Sequence, residues 1–283
     1  MLDTAVVENI CRAAIAEDVG SGDATTAAVV PEELTAEALI KAKEDCCCAG
    51  LQVAAQVFKE LDPDSSFVCD VEDGDRCPAG TTMARVKGKA RAILTGERTA
   101  LNFLQRMSGI ATLTSKYAEA VGAYSTTKIL DTRKTTPGMR ALEKHAVKMG
   151  GGENHRFGLY DRVMIKDNHR LVAGLEGPDA IQRSVKSARE MYPALEVEVE
   201  ADTLEEVSQA ADAGADYILL DNMEDEEVRE AVDIVEGRSV LEASGGIYLE
   251  RIPALAQTGV DFISVGALTH SAPATDIGLD LKL

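Results

Sequence analysis

The sequence predicts an α/β protein in which a mixed first third precedes a barrel of βα units, either complete or open. Six apolar strand candidates follow residue 127, and helical stretches separate them. The last four strands recur roughly every 22 residues, a spacing typical of one β-strand plus one α-helix. Strands that are apolar along nearly their whole length favour a parallel sheet covered by helices. Together these observations fit a barrel better than a flat sheet.

The first third mixes helices and strands without an internal repeat. Apolar positions at helical spacing predict helices, and apolar runs between turn residues predict strands. The Gly, Ser and Asp content of 20–26 predicts a loop. The predicted elements are helix 4–17, loop 20–26, strand 34–48, helix 51–61, strands 66–71 and 81–87, and a long helix 90–121 with a break near Gly109.

The rest of the chain carries the predicted barrel. Its strands are expected at 128–131, 163–166, 195–200, 217–220, 240–243 and 262–265. Its helices are expected at 178–191, 203–213, 224–236 and 248–258. Functional groups in such barrels lie at the C-terminal ends of the strands. The residues that follow each predicted strand are therefore the candidates for a site.

The chain is strongly acidic, with 48 Asp and Glu against 29 Lys and Arg and a net charge of −19 over 283 residues. This charge repels phosphates and anionic lipids, so we expect no nucleic-acid or membrane partner. No apolar run approaches the ~18 residues of a membrane-spanning helix, and the acidic N-terminus does not resemble a signal peptide. A cytoplasmic protein is expected. The acidity is typical of proteins from salt-rich cytoplasm (halophiles), although acidic mesophilic proteins also exist.

Six cysteines raise the question of disulfides or a metal site. Cys46, Cys47 and Cys48 are consecutive, and neighbouring residues on a strand point to opposite faces. The others stand alone, without a C-x-x-C pair: Cys11, Cys69 and Cys77. We expect buried, reduced thiols.

Basic residues and hydroxyls follow the first barrel strand and occupy the next loop. Thr132, Arg133 and Lys134 lie directly after 128–131, and a glycine-rich loop then carries His155 and Arg156. On so acidic a chain, this cluster indicates an anion site that holds carboxylate or phosphate groups. The alternatives are a solvated surface loop and a structural histidine.

Carboxylates follow the other strands. The two-residue period places Glu196, Glu198 and Glu200 on one face of their strand, where they need cations or protons if that face lines the barrel. Asp221 ends the next strand, and Lys166 ends the strand before. Hard oxygen ligands such as Glu200 and Asp221 suit Mg²⁺, whereas no Cys/His spacing suggests zinc.

Small residues follow the last two strands, which is the usual barrel pattern for binding phosphate on backbone N–H groups. They are Ser244, Gly245, Gly246 and Gly266. The candidate site thus combines bases, carboxylates and a phosphate cradle, which indicates a ligand with several negative groups and a divalent metal.

Nine segments of the chain resemble motifs of the quinolinate phosphoribosyltransferase family, in the family's order. They are EDVGSGDATT (17–26), GERTALNFLQRMSGIAT (96–112), TRKTTPGMR (132–140), GGGENHRFGL (150–159), MIKDNH (164–169), EVEVE (196–200), LLDN (219–222), EASGGI (242–247) and SVGALTHSAPATDIGLDL (264–281). The resemblance covers nearly the whole chain. It implies an N-terminal α/β sandwich domain, 1–108 joined by 270–283, and an open barrel of six or seven parallel strands over 109–269.

The resemblance also implies a reaction: phosphoribosyl transfer from phosphoribosyl pyrophosphate to quinolinate with decarboxylation, on the way to NAD. Homodimers or larger assemblies are implied, with Arg98 reaching quinolinate in the adjacent subunit. Three residues would bind the substrate carboxylates: Arg133, His155 and Arg156. Lys134 and Lys166 would lie near both substrates, Thr132 would line the site, and Glu200 and Asp221 would serve Mg²⁺ and the ribose hydroxyls. The 5′-phosphate would be held by Ser244, Gly245, Gly246 and Gly266.

Three other functions stay open at this point. The same fold could act on another base, as in a homologue associated with molybdenum uptake or a nicotinate phosphoribosyltransferase; the two-carboxylate binding set favours quinolinate. A barrel lyase or epimerase could use Lys166 for a Schiff base to a sugar phosphate. A non-catalytic anion-binding module would leave the pair Glu200 and Asp221 unexplained.

Overall fold

The computed structural model describes residues 2–123, 125–175, 177 and 179–282, which form two compact units. The first unit comprises the described residues of Met1–Ser115, Thr135–Gly151 and Ala267–Leu283. The second comprises those of Lys116–Lys134 and Gly152–Gly266. Among the described residues, no helix has the length and apolarity that crossing a membrane requires.

The first unit is built on a four-stranded antiparallel sheet in the order β12-β1-β5-β3. Its helices contribute an apolar stripe to the core; in α3, Val53, Val57 and Phe58 are buried at helical spacing. Its elements are α1 (Thr4–Val19), α2 (Ala24–Val29), β1 (Thr35–Ala42), β2 (Cys46–Cys47), α3 (Leu51–Leu61), β3 (Ser66–Cys69), β4 (Arg76–Cys77), β5 (Thr82–Lys89), most of α4 (Ala90–Val121), α5 (Arg140–Met149), α11 (Ala267–His270) and β12 (Ile277–Lys282).

Several predictions for this part of the chain were wrong in detail. The predicted loop 20–26 ends in a helix, because the Asp23 carboxylate accepts from the Thr26 N–H at 2.9 Å and caps α2. The predicted strand 34–48 is two strands, β1 and β2, separated by a bend. The cysteines are free thiols and all are buried except Cys69, which ends the edge strand β3.

The predicted break near Gly109 is absent, and α4 runs through it without interruption. A Cβ at Gly109 would lie 2.0 Å from the carbonyl oxygen of Pro273, so the glycine serves a close backbone contact and does not end the helix. The division into units differs from the predicted boundaries at 109–115, 135–151 and 267–269. Residues 135–151 belong to the first unit, where Glu143 on α5 pairs with Arg106 at 2.9 Å.

The second unit holds a six-stranded parallel sheet in the order β6-β11-β10-β9-β8-β7. No ladder joins the edge strands β6 and β7 within the described ranges, so the barrel is open there. Its strands are β6 (Lys128–Leu130), β7 (Val163–Ile165), β8 (Val197–Ala201), β9 (Tyr217–Asp221), β10 (Val240–Ser244) and β11 (Phe262–Ser264). Its helices are α6 (Asp167–Val172), α7 (Ala180–Met191), α8 (Leu204–Asp212), α9 (Asp225–Val235) and α10 (Ile252–Ala256), with a 3₁₀ turn at Leu249–Arg251.

The α/β class and the parallel barrel predicted from the sequence are confirmed, and the six predicted strands lie within one or two residues of the observed ones. The predicted helix 178–191 begins at a residue outside the described ones, and α7 starts at Ala180. Three short helices and the last strand were not predicted: α5, α6, α11 and β12.

Candidate active site

A cavity of about 420 Å³ opens at the C-terminal ends of the parallel strands in the second unit. Basic, acidic and hydroxyl side chains line it, with two apolar ones. They are Thr132, Arg133, Lys134, His155, Arg156, Met164, Lys166, Glu200, Leu219, Asp221, Glu242, Ser244 and Ser264. The mixture of charges at this edge of a parallel sheet is typical of a barrel active site.

The strands supply these side chains through their two-residue period. On β8, Val197 and Val199 are fully buried, while Glu200 lines the cavity. On β10, Leu241 and Ala243 are likewise buried, while Glu242 and Ser244 line the cavity. Alternate residues of each strand therefore belong to a buried apolar layer or to the inner, mostly polar face.

Two arginines dominate the basic side of the cavity. Arg156 Nη1 donates to the Arg162 carbonyl oxygen at 3.0 Å, and Nη2 lies 3.5 Å from the Met164 sulfur. Its Nε is buried without a hydrogen-bond partner among the described residues. Burial, and then the neighbouring Arg133, lower the pKa of Arg156. Two guanidinium groups this close favour a bound anion, and a planar carboxylate matches their fork of donors.

Two carboxylates come from neighbouring strands of the sheet. Glu200, from β8, pairs with the ammonium group of Lys166, which directly follows β7 and has a side chain that is 40% exposed. Asp221 ends β9 and accepts from the Asn222 side-chain amide at 2.8 Å. Both carboxylates line the same cavity. Two hard oxygen donors beside open space fit Mg²⁺, which usually takes one or two carboxylates and completes its shell with water and substrate phosphate.

The loop after β10 passes close to Asn222. Gly245 has φ +87°, and a Cβ there would lie 2.2 Å from the Asn222 side-chain oxygen. Only glycine fits this turn without displacing the loop that carries Asp221 and Asn222. Gly246 lies beside it with open space around it, and Gly266 follows β11 at the same end of the sheet.

Three buried groups converge at the inner face of the sheet. His155 Nε2 lies 3.2 Å from a Glu198 oxygen and 3.3 Å from a Glu242 oxygen. Burial acts to lower the pKa of His155, but the hydrogen bonds to Glu198 and Glu242 outweigh it and raise the pKa to about 9.

The structure brings together nine of the thirteen predicted site residues in this cavity: Thr132, Arg133, Lys134, His155, Arg156, Lys166, Glu200, Asp221 and Ser244. The three glycines, Gly245, Gly246 and Gly266, lie in the loops that follow β10 and β11. Arg98 belongs to the first unit, where its side chain is exposed on α4. The sequence analysis did not include four lining residues among its candidates: Met164, Leu219, Glu242 and Ser264. The two-residue period of the strands could have found them.

The chain matches known proteins along nearly its whole length. Residues 23–108 match the family model of the quinolinate phosphoribosyl transferase N-terminal domain, and 110–280 match that of the C-terminal domain. A probable nicotinate-nucleotide pyrophosphorylase (carboxylating) of Bacillus subtilis is 43% identical over 268 residues, 94% of this chain and 90% of the relative. A tobacco quinolinate phosphoribosyltransferase (decarboxylating) is also 43% identical, over 97% of this chain and 82% of its own.

A solved structure agrees with these matches. The crystal structure of NadC from Streptococcus pyogenes is 40% identical to this chain, with a TM-score of 0.94 that covers 100% of this chain and 98% of the other. Both domains of the family model, the relatives and the barrel with its charged cavity lead to one assignment. The chain belongs to the quinolinate phosphoribosyltransferase family.

Proposed function

We propose that the chain transfers the phosphoribosyl group of 5-phosphoribosyl-1-pyrophosphate to quinolinate, with loss of CO₂, to give nicotinate mononucleotide and pyrophosphate for NAD biosynthesis. One observation carries this proposal. In a chain of this family, two arginines, two lysines and the carboxylates of Glu200 and Asp221 line a single cavity. The bases can bind the adjacent carboxylates of quinolinate, and the two carboxylates can hold the Mg²⁺ that accompanies a sugar diphosphate.

The bases can bind and orient quinolinate. Arg133 and Arg156 supply planar donors for its carboxylates, and Lys134 and Lys166 lie at the same cavity as point charges. The pyridine nitrogen then attacks the anomeric carbon of the ribose while the bond from that carbon to pyrophosphate breaks. Because positive charge develops on the sugar in this step, Glu200 and Asp221 can stabilise it.

Decarboxylation follows from the charge on the ring. Once the nitrogen is ribosylated, the pyridinium stabilises the carbanion left by CO₂, and the carbanion takes up one proton. A site that binds the leaving carboxylate too well slows this step, so the arginines should hold the carboxylate that stays. Lys134 or Lys166 would then contact the reacting region. A quinolinate-bound structure with both lysines far from the ring would refute that assignment.

Mg²⁺ belongs to the proposal as a cofactor held by Glu200 and Asp221 together with substrate oxygens and water. When bound, it would neutralise the charge of the pyrophosphate group. The rest of the predicted assembly also stays a proposal: a homodimer or larger homo-oligomer in the cytoplasm, with Arg98 of one subunit serving the neighbouring site. Gly245, Gly246, Gly266 and Ser244 would hold the 5′-phosphate.

The deciding experiment is an assay of the purified chain with quinolinate, phosphoribosyl pyrophosphate and Mg²⁺ that follows nicotinate mononucleotide and CO₂. Product from quinolinate, but not from nicotinate, is expected, and Glu200→Gln should abolish it. Turnover of nicotinate or another base in place of quinolinate would leave the family assignment and remove the substrate. Trapping of a substrate on Lys166 by borohydride would instead support the lyase, because phosphoribosyl transfer needs no imine.

A further inference from the structure

The cluster of His155, Glu198, Glu242 and Ser264 (the His–Glu cluster) lies on the inner face of the barrel, and the proposed chemistry does not use its carboxylates. Glu198 is 0% exposed, Glu242 is 1% exposed and His155 is 5% exposed. The Ser264 hydroxyl donates to Glu242 Oε1 at 2.5 Å, while Glu242 Oε2 faces His155 Nε2 at 3.3 Å. Two carboxylates buried this deeply need cations or hydrogen-bond donors to offset their lost hydration.

Charged groups face the cluster from every neighbouring element. Arg162, just before β7, lies with Nη1 3.4 Å from Glu198 Oε2, while its Nη2 pairs with Glu196 at 3.3 Å. On the other side, the buried Asp131 accepts from the His155 backbone N–H at 2.9 Å. Arg156 follows His155 in the chain, with Arg133 near it. The Nε2 atom of His155 therefore faces the two carboxylates of the cluster, and the backbone of His155 leads directly to Arg156.

The other ring nitrogen is also engaged. The Arg156 backbone N–H donates to His155 Nδ1 at 2.7 Å. The glutamates favour the protonated ring, whereas this short contact favours an acceptor at Nδ1. In both forms Nε2 carries a proton between the carboxylates, so contacts hold the ring at both nitrogens.

Glu198 connects to Arg156 by two routes. The first runs through the His155 ring to the Arg156 backbone. The second runs through Arg162, whose side chain contacts Glu198 and whose carbonyl oxygen accepts from Arg156 Nη1 at 3.0 Å. Both the backbone and the guanidinium group of Arg156 are thus held by contacts that lead back to the inner face of the sheet.

We propose that Glu198, Glu242 and Ser264 are positioning residues that hold the His155 ring in one orientation, and through it the segment from which Arg156 enters the cavity. The proposal rests on the proposed function, because the group that Arg156 would bind is a carboxylate of quinolinate. The cluster acts on quinolinate binding and leaves the phosphoribosyl donor side, with Glu200 and Asp221, unchanged.

The test is a steady-state comparison of Glu242→Gln and Ser264→Ala with wild type, varying quinolinate and the phosphoribosyl donor separately. We expect Glu242→Gln to raise KM for quinolinate about tenfold, the lower end of what outer partners of functional histidines contribute at metal sites. Ser264→Ala should raise it less and carries the test if Glu242→Gln fails to fold. Glu196→Gln is the matched control, because Glu196 directly precedes β8, its carboxylate contacts Arg162, and its side chain is about half exposed.

A double variant distinguishes a positioning role of Glu242 from direct contact with quinolinate and from a general effect on stability. If Glu242 acts through the ring, Glu242→Gln should cause no further rise in KM in a His155→Asn background. Additive effects, an unchanged quinolinate KM, or equal rises in both KM values with a lower Tm would overturn the proposal. The side chains of His155, Glu198 and Glu242 could also bind a metal ion. Stoichiometric metal in purified wild type that is lost in Glu242→Gln would therefore also overturn the proposal. Failure of wild type to turn over quinolinate would instead refute the proposed function.

Discussion

Replacing Gly109 by alanine tests whether the long helix α4 owes its glycine to a close backbone contact. Taken alone, the change should stabilise an interior helical position by about 0.5–1 kcal/mol. The added Cβ, however, would lie 2.0 Å from the Pro273 carbonyl oxygen and 3.0 Å from its carbonyl carbon. Ordinary van der Waals contacts of a Cβ atom lie at 3.4–4 Å, so the backbone must move by more than about 1 Å.

The segment around Pro273 is held on both sides, so it cannot move without losing other bonds. Arg106 Nη1 donates to the Ala272 carbonyl oxygen at 3.0 Å, and the Thr275 N–H donates to the Gln105 carbonyl oxygen at 3.0 Å. Overpacking of a fixed site costs about 1–3 kcal/mol, more than the helix propensity returns. We therefore expect a net loss of about 1–2 kcal/mol in the free energy of unfolding.

Thermal and urea unfolding of Gly109→Ala measure this directly. A loss of that size corresponds to a fall in Tm of about 2–4 °C for a protein of this length. Asn102→Ala, at an exposed position of the same helix, reports the propensity gain without the overlap and should leave Tm equal or slightly higher. If Gly109→Ala also raised Tm, the steric explanation would be refuted and the glycine would be a simple weakness of the helix.

Three further predictions follow from the site, from the ion pairs and from the charge of the chain. If Arg98 serves the neighbouring subunit, the variants Arg98→Ala and Glu200→Gln should each be inactive alone. When the two are unfolded and refolded together, half of the dimers are mixed and one site in each is intact, so about a quarter of wild-type activity should return. No recovery would contradict the shared site. Although burial raises the pKa of Asp73, bonds from His145 and the N–H of Gly50 outweigh it and hold that pKa below its ordinary value. Its stabilisation is therefore complete above about pH 4 and is lost as pH falls through the lowered pKa. In urea unfolding, wild type and Asp73→Asn should differ more above about pH 4 than in acid, and a difference that stays constant with pH would count against the lowered pKa. If the net charge of −19 reflects salt-rich cytoplasm, activity and Tm should rise from low to multimolar potassium chloride, whereas maximal values at low salt would favour an acidic mesophilic protein.

The barrel and most of its site were predictable because they depend on local patterns. Four of the six parallel strands, β7 to β10, are followed by a helix of the same unit, so the period of the sequence carries the topology. The sequence also predicted cations beside Glu196, Glu198 and Glu200, since three carboxylates on one inward face need them. The structure supplies Lys166 for Glu200 and Arg162 for Glu196 and Glu198.

The remaining features depend on contacts between distant residues. Strand β12 pairs with β1, from the other end of the chain. Only the alternation of Ile277, Leu279 and Leu281 with Gly, Asp and Lys could have indicated it from the sequence. Helix α5 was missed because its fully buried residue Glu143 is paired with Arg106, from a different element. Glu242 was not among the predicted site residues, because its partners His155 and Ser264 come from other segments and its role required the register of the sheet.

The alternation along the parallel strands has a consequence for how this protein can change. Outward residues such as Val199 and Leu241 pack in the layer between sheet and helices, so substitutions there mainly alter stability. Inward residues such as Glu200 and Ser244 line the cavity, so substitutions there mainly alter ligand binding and activity. The residues on the two faces of one strand can thus change largely independently. Selection for a new substrate base could substitute residues on the inner face while leaving the fold nearly unchanged.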